Sequence, residues 1–250
     1  MNLLDTDLTI LWPALVAGLL VAVSHVPLGQ QVLARGIVFI DLAIAQVAGL
    51  GVIAANGLGL EITGWGAQAA AGAAALAGAL LLTWTERKRP EVQEALIGIL
   101  FVLASTAQIL LLANDPHGGD NLKDLLAGQI LWVSTDQLIR TAVVTAIFAI
   151  AWFGWREHVG RVGFYVLFAL VVTASVQLVG VYLVFTTLIV PAVATSRLAL
   201  HRQLAPGYAL AFASYVTGLA VSVLTDLPSS AVIVWTMAVI ALITHLAVKR

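Results

Sequence analysis

The chain has 250 residues, of which 61% are hydrophobic and 10% charged, with a formal net charge of -1 and no cysteine. Soluble domains carry roughly 25% charged residues, so this composition, with a mean hydropathy of +1.01, defines an integral membrane protein. It excludes a disulfide framework and a thiolate metal site, and 12 Lys and Arg against 13 Asp and Glu leave no basic field for nucleic acid.

In chain order, apolar runs at 8–26, 37–56, 67–84, 94–113, 138–155, 208–224 and 231–248 are each long enough to cross a bilayer as a helix. Only helices or closed barrels satisfy their backbone there, and these runs are too long for barrel strands. The first run lacks a basic leader and a small-residue cleavage site, so it reads as a retained span. In the third, Ala67, Ala71, Ala74 and Gly78 form a small-residue stripe suited to close helix packing. Pro90, Glu91 and Glu94 make a helix start, with proline in the first turn and carboxylates at the positive dipole end.

Basic residues orient the bundle. Arg35, Arg87 to Arg89, Arg156, Arg161, Arg197, Arg202, Lys249 and Arg250 fall at ends that share one side; Asp5, Asp7, Glu61, Asp115, Asp120 and Asp226 fall opposite, with Lys123 the main exception. The N-terminus is then outside and the C-terminus cytoplasmic. The chain between Arg161 and Arg197 must therefore leave and return. Roughly 35 residues is long for one helix and short for two full spans, which predicts one span plus a short returning half-helix that turns near Gly180. The expected fold is an all-α polytopic transmembrane bundle of about 8–9 membrane segments.

That region reads Gly180-Val-Tyr-Leu-Val-Phe-Thr-Thr-Leu-Ile-Val-Pro191-Ala-Val-Ala-Thr-Ser-Arg197. Backbone broken at membrane depth is tolerated where it is buried in protein or lines a cavity, which assigns Gly180 and Pro191 to a permeation pathway. A kinked packing helix is the other reading of the same two residues.

The stretch resembles the pathway-lining broken helix of the membrane-embedded permease of metal-importing ABC transporters. Four further segments are similar to that family's signatures and follow its order: Asp41-Leu-Ala-Ile-Ala-Gln46-Val-Ala-Gly49-Leu-Gly51, Glu94-Ala-Leu-Ile-Gly98-Ile, Asp124-Leu-Leu-Ala-Gly128-Gln-Ile-Leu-Trp-Val-Ser134 and Asp226-Leu-Pro228-Ser-Ser-Ala-Val-Ile-Val234. The resemblance implies that residues 1–250 form a single transmembrane permease domain. It implies a divalent metal ion (zinc, manganese or iron) as cargo with no permanently bound cofactor, a cytoplasmic ABC ATPase, an extracytoplasmic metal-binding protein and a second permease copy. Pro191 to His201 would face the ATPase, with Arg197, His201 and Arg202 as coupling residues.

One motif departs from the family. Its second-span pattern, like Gly-Asp-Ala-Leu-Ser-His, sets aspartate and histidine four apart on one helical face. Here Ala45 stands four after Asp41, and Gln46, five after it, is about 140° around the helix. Anchoring on Gly51 puts Gln46 at the histidine position; anchoring on Asp41 puts Ala45 there. Asp41 and Gln46 are the candidate metal-pathway residues. Their other readings are an interfacial carboxylate paired with Arg35 and a helix-gluing carboxamide. Without an imidazole the pair leans from zinc towards manganese or iron.

The five histidines form no cluster. His25 is expected near the cytoplasmic end of the first span, His117 in the turn Asn114-Asp-Pro-His-Gly-Gly-Asp120, and His158, His201 and His245 at loops or helix ends. The chain has no His-Glu-x-x-His, Gly-x-Ser-x-Gly or phosphate-loop motif, so it is expected not to be an enzyme, with ATP hydrolysis carried by a partner chain. A stand-alone secondary metal transporter is the alternative function.

Overall fold

The computed structural model describes residues 3–58, 65–113, 115, 118–155, 159–199 and 202–247, and over these residues the chain forms ten α-helices and no strand. They are α1 (Leu3–Arg35), α2 (Ile40–Gly57), α3 (Trp65–Lys88), α4 (Gln93–Leu112), α5 (Gly118–Ala127), α6 (Thr135–Ala149), α7 (Arg161–Val179), α8 (Val181–Thr195), α9 (Leu204–Thr225) and α10 (Ser229–Ala247). A π-helical turn, Ile150–Gly154, extends α6. Seven helices are long and apolar enough to cross a membrane, and α8 and α10 supply two shorter apolar ones. The all-α polytopic bundle expected from the sequence is the fold observed.

The first helix continues well past the run read from the sequence, through Pro27 to Arg35. Proline has no N–H to give the carbonyl four residues earlier. That carbonyl, Val23 O, accepts instead from Tyr208 Oη of α9 at 3.0 Å. The helix stops at Gly36, whose φ of 68° is the left-handed cap conformation. Gly36 N donates to Leu33 O and Ile37 N to Val32 O, each at 3.2 Å, the paired bonds of a Schellman ending. His25 is therefore not at a helix end. It is buried in the interior of α1, with Nδ1 3.0 Å from Val21 O.

Small residues set the spacing of α2 and α3. A Cβ on Gly51 would lie 2.9 Å from Ala70 O, and one on Gly78 would lie 3.2 Å from Val47 Cγ1. These contacts run in opposite directions along the two helices, so they are antiparallel. The buried face of α3 comprises Ala71, Ala75, Gly78, Ala79 and Leu82. Without a hydrophobic driving force inside lipid, such close approach lets dispersion and backbone contacts hold the helices together. Helix α4 buries little and exposes Ile99, Val102, Leu103, Ile109 and Leu110, as a lipid-facing helix does.

A second packing centre joins α1, α8 and α9. Tyr215, buried in α9, stacks over Gly18 and shares a 2.9 Å hydrogen bond with Thr187 of α8. Helix α8 lies mainly against α1 and α10, and less against α9 and α7. The α7–α8 junction is Gly180, with φ 84° and ψ 161°, a region open essentially to glycine alone. Pro191 does not end α8; it is buried inside the helix, beside Gly207 of α9.

Candidate permeation pathway

The ends of α1 and α3 and the starts of α2, α4 and α7 meet at one end of the bundle, held by charged and polar groups. Arg35 lies 4.0 Å from the Phe164 ring centroid. Arg161 Nε pairs with Glu86 Oε2 at 3.3 Å. Gln93 donates to Leu82 O at 3.0 Å and to Tyr165 Oη at 3.4 Å. Glu94 Oε1 accepts from Phe39 N at 3.2 Å. Helix α2 has no side-chain cap of its own, so the carboxylate of α4 satisfies one of its free N–H groups and complements its dipole.

Asp41 lies one turn inside this end. It is 0% exposed, and neither carboxylate oxygen has a hydrogen-bond partner. The pairing with Arg35 considered for it does not occur; the Arg35 guanidinium stands over the Phe164 ring instead. A carboxylate at membrane depth costs about 2.5–3.5 kcal/mol on insertion scales, which is why such groups face a cavity or partner.

At the opposite end, α2, α3, α4, α5 and α7 surround a cavity of about 510 Å³. Asn56, Asp115 and Gln177 stand among its lining residues at or near helix ends, while Gly49, Gln108 and Thr173 line it deeper in the bundle. Gln46 lies just beyond, buried. Gln108 Nε2 donates to Gln46 O at 2.7 Å and to Gln46 Oε1 at 2.9 Å. Asp41 is five residues further along α2, about 7.5 Å at the helical rise. The cavity, the carboxamide pair and the carboxylate thus follow one another along α2 from one end of the bundle towards the other. Gln108 Oε1 and Thr173 Oγ1 are buried and bond to no other protein group among the described residues.

The described residues hold no group of three or more His, Cys, Asp or Glu able to bind a metal. Asp41 and Gln46 are brought to the same helix segment but not to one face. Gly180 lies at the other side of α7, against Gly128 in the segment after α5. Arg197 and Arg202 are exposed on the segment joining α8 to α9, and Gln203 Nε2 pins that segment by donating to Leu198 O at 2.8 Å. His201 lies outside the described residues, as do His117, His158, Arg156 and Glu61. Gln108 and Thr173 were not singled out from the sequence, although an isolated polar residue in an apolar span is itself a signal. Arg140 was also missed: it sits at the cavity end, paired with Asp136 and 5.5 Å from the Trp65 ring centroid.

A multi-pass helical bundle with a cavity at one end and charged groups gathered at the other is a polytopic membrane protein. The chain belongs to the ABC 3 transport family, whose model matches residues 7–162 and 154–248. This is the family of permease subunits to which the motif order pointed, and such a subunit is not itself catalytic. Among solved structures the fold is similar to "PsaBC from Streptococcus pneumoniae in complex with Fab", with a TM-score of 0.76, 22% identity and coverage of 94% of this chain and 90% of that one. It is also similar to "an inward-facing conformation of a putative metal-chelate type ABC transporter", with a TM-score of 0.69, 17% identity and coverage of 96% and 86%. Comparison with curated protein sequences gives no match.

Proposed function

We propose that the chain is the permease of an ABC importer that moves a divalent metal ion, zinc, manganese or iron, into the cytoplasm. A separate cytoplasmic ATPase drives it, an extracytoplasmic binding protein delivers the ion, and a second permease copy completes the pathway. The family membership supports the ABC mechanism, and one structural neighbour is titled a putative metal-chelate type transporter. The positive residues orient the charged end of the bundle towards the cytoplasm. In that orientation the 510 Å³ cavity faces the delivery protein.

The observation that carries the cation reading is Asp41, a wholly buried carboxylate with no hydrogen-bond partner beyond the cavity floor. A passing divalent cation is the counter-charge that would offset its desolvation. The closed charged end below it then acts as the barrier that must open for release, so loading from outside and release inside are separated in time. Arg197 and Arg202, exposed where α8 leaves the bundle, belong to the surface that meets the ATPase.

Metal uptake by the complete transporter with Asp41→Asn tests this. The variant keeps size and hydrogen-bonding capacity and removes the charge, so uptake should fall at least about tenfold, a loss of about 1.4 kcal/mol, while the ATPase still binds. Normal uptake across a range of metal concentrations would make Asp41 a structural group and remove the carboxylate from the pathway.

A further inference from the structure

Helix α3 turns two different faces to its surroundings. One buries Ala71, Ala75, Gly78, Ala79 and Leu82 in the bundle; the other exposes Leu80, Leu81, Trp84, Arg87 and Lys88. At 100° per residue these exposed side chains all lie within about 60° of Trp84, on one stripe. Trp65 and Trp84, both exposed, are about 28 Å apart at the rise of 1.5 Å per residue. That separation matches the hydrocarbon core, whose two boundaries tryptophan favours. Arg87 and Lys88 lie about 5 Å further along the helix, within the headgroup layer. The acids of this segment are already engaged. Glu86 pairs with Arg161, Glu94 accepts from Phe39 N, and Glu91 Oε1 faces Arg89 at 3.7 Å. Arg87 and Lys88 are in no ion pair among the described residues. Two unpaired cations thus end an apolar, lipid-facing stripe at headgroup depth.

We infer that this stripe of α3 is a docking face for an anionic phospholipid in the leaflet at the charged end of the bundle. The acyl chains lie along Leu80 and Leu81, Trp84 stands at the glycerol level, and Arg87 and Lys88 take the phosphate. A guanidinium offers phosphate two parallel N–H donors, and an ammonium adds a compact charge. Each basic residue beside an anionic membrane surface strengthens attachment about fivefold. The two together set a preference of about thirtyfold for an anionic over a zwitterionic headgroup. The opposite side of the same turn holds the closed end of the bundle, where Leu82 O accepts from Gln93 and Glu86 meets Arg161. A docked headgroup braces that end from the lipid side. This lipid contact is independent of the ion that the chain carries.

The experiment titrates the purified transporter complex in detergent with dioleoylphosphatidylglycerol or dioleoylphosphatidylcholine and follows its melting temperature. At low ionic strength the anionic lipid should half-saturate the shift at a concentration about thirtyfold below the zwitterionic one, and high salt should shrink that ratio. The double variant Arg87→Gln with Lys88→Gln should bring the two lipids to within about twofold of each other, and Lys88→Gln alone should cut the preference about fivefold. Arg89→Gln, off the stripe and beside Glu91, should keep most of it. Glycerol 3-phosphate, which carries the charge without the acyl chains, should not stabilise the complex. A merely structural role for the two cations would lower the melting temperature in the absence of lipid and leave the ratio of the two lipids unchanged. Equal half-saturation in wild type, an unchanged ratio in the double variant, an equal loss in Arg89→Gln, or stabilisation by glycerol 3-phosphate alone would each overturn the docking face. If the double variant fails to fold, Lys88→Gln decides by the same ratio.

Discussion

Gly128 and Gly180 cross backbone against backbone: a Cβ on Gly180 would lie 2.6 Å from the Ala127 carbonyl carbon and 2.7 Å from Gly128 Cα. Both have positive φ, 66° and 84°, so each is glycine for two reasons, conformation and room. The crossing ties the α7–α8 break to the segment between α5 and α6. Ser230 Oγ of α10 adds a 3.4 Å bond to Val179 O, one of the carbonyls that the break leaves free of helical partners.

Gly180→Ala is therefore expected to destabilise the protein by about 2–4 kcal/mol, combining strain of about 1–3 kcal/mol at a glycine-only conformation with a backbone clash. Thermal unfolding in detergent checks it. Gly98→Ala is the matched control: nothing lies within 4 Å of its Cβ position, and its melting temperature should stay at or slightly above wild type, since alanine is the better helix former. Equal behaviour of the two variants would mean that the glycine crossing does not hold the junction.

Glu94→Ala should cost about 1 kcal/mol, the usual value of a lost cap, because its carboxylate accepts from Phe39 N at the uncapped start of α2. Glu94→Gln keeps an acceptor and should recover about half. Thermal unfolding of the two variants separates the hydrogen bond from the charge. A wild-type melting temperature in Glu94→Ala would show that α2 needs no help from α4.

Tyr208→Phe removes the hydroxyl that satisfies Val23 O where Pro27 gives no N–H. The carbonyl would be left without a donor at a cost of about 1–2 kcal/mol. The double variant Tyr208→Phe with Pro27→Ala should lose less than the single one, because alanine restores the helical donor. Additive losses in that cycle would dissociate the two residues.

Arg197→Glu, exposed on the segment after α8, should abolish transport-linked stimulation of ATP hydrolysis while leaving the permease folded, since charge reversal at a docking surface adds repulsion without touching the apolar core. Wild-type stimulation would move the coupling surface elsewhere.

Much of this was legible from the chain. The all-α bundle and its long membrane helices followed from apolar run length, because a membrane leaves the backbone few alternatives, whereas the short helix α5 did not. The turn at Gly180 followed from arithmetic on the positive residues. The end of α1 did not: the apolar run stops at Val26, and the hydroxyl that rescues Val23 O comes from Tyr208, 185 residues away. The candidate site divided in the same way. Asp41 and Gln46 stood out as polar residues in an apolar span, but periodicity could not show that Gln46 is engaged by Gln108 or that Arg35 turns to Phe164 instead of Asp41. Such pairings are set by which helices become neighbours, and the sequence carries no local trace of that.

The central claim is that this chain carries a divalent cation only as the membrane part of an ATP-driven complex. Its most direct test is Mn²⁺ and Zn²⁺ uptake into proteoliposomes containing the permease with and without its ATPase and delivery protein. Uptake that requires ATP and is lost when either partner is omitted is the expected result. Uptake of either cation by the permease alone under a proton gradient, or no uptake of any divalent cation by the complete complex, would contradict it.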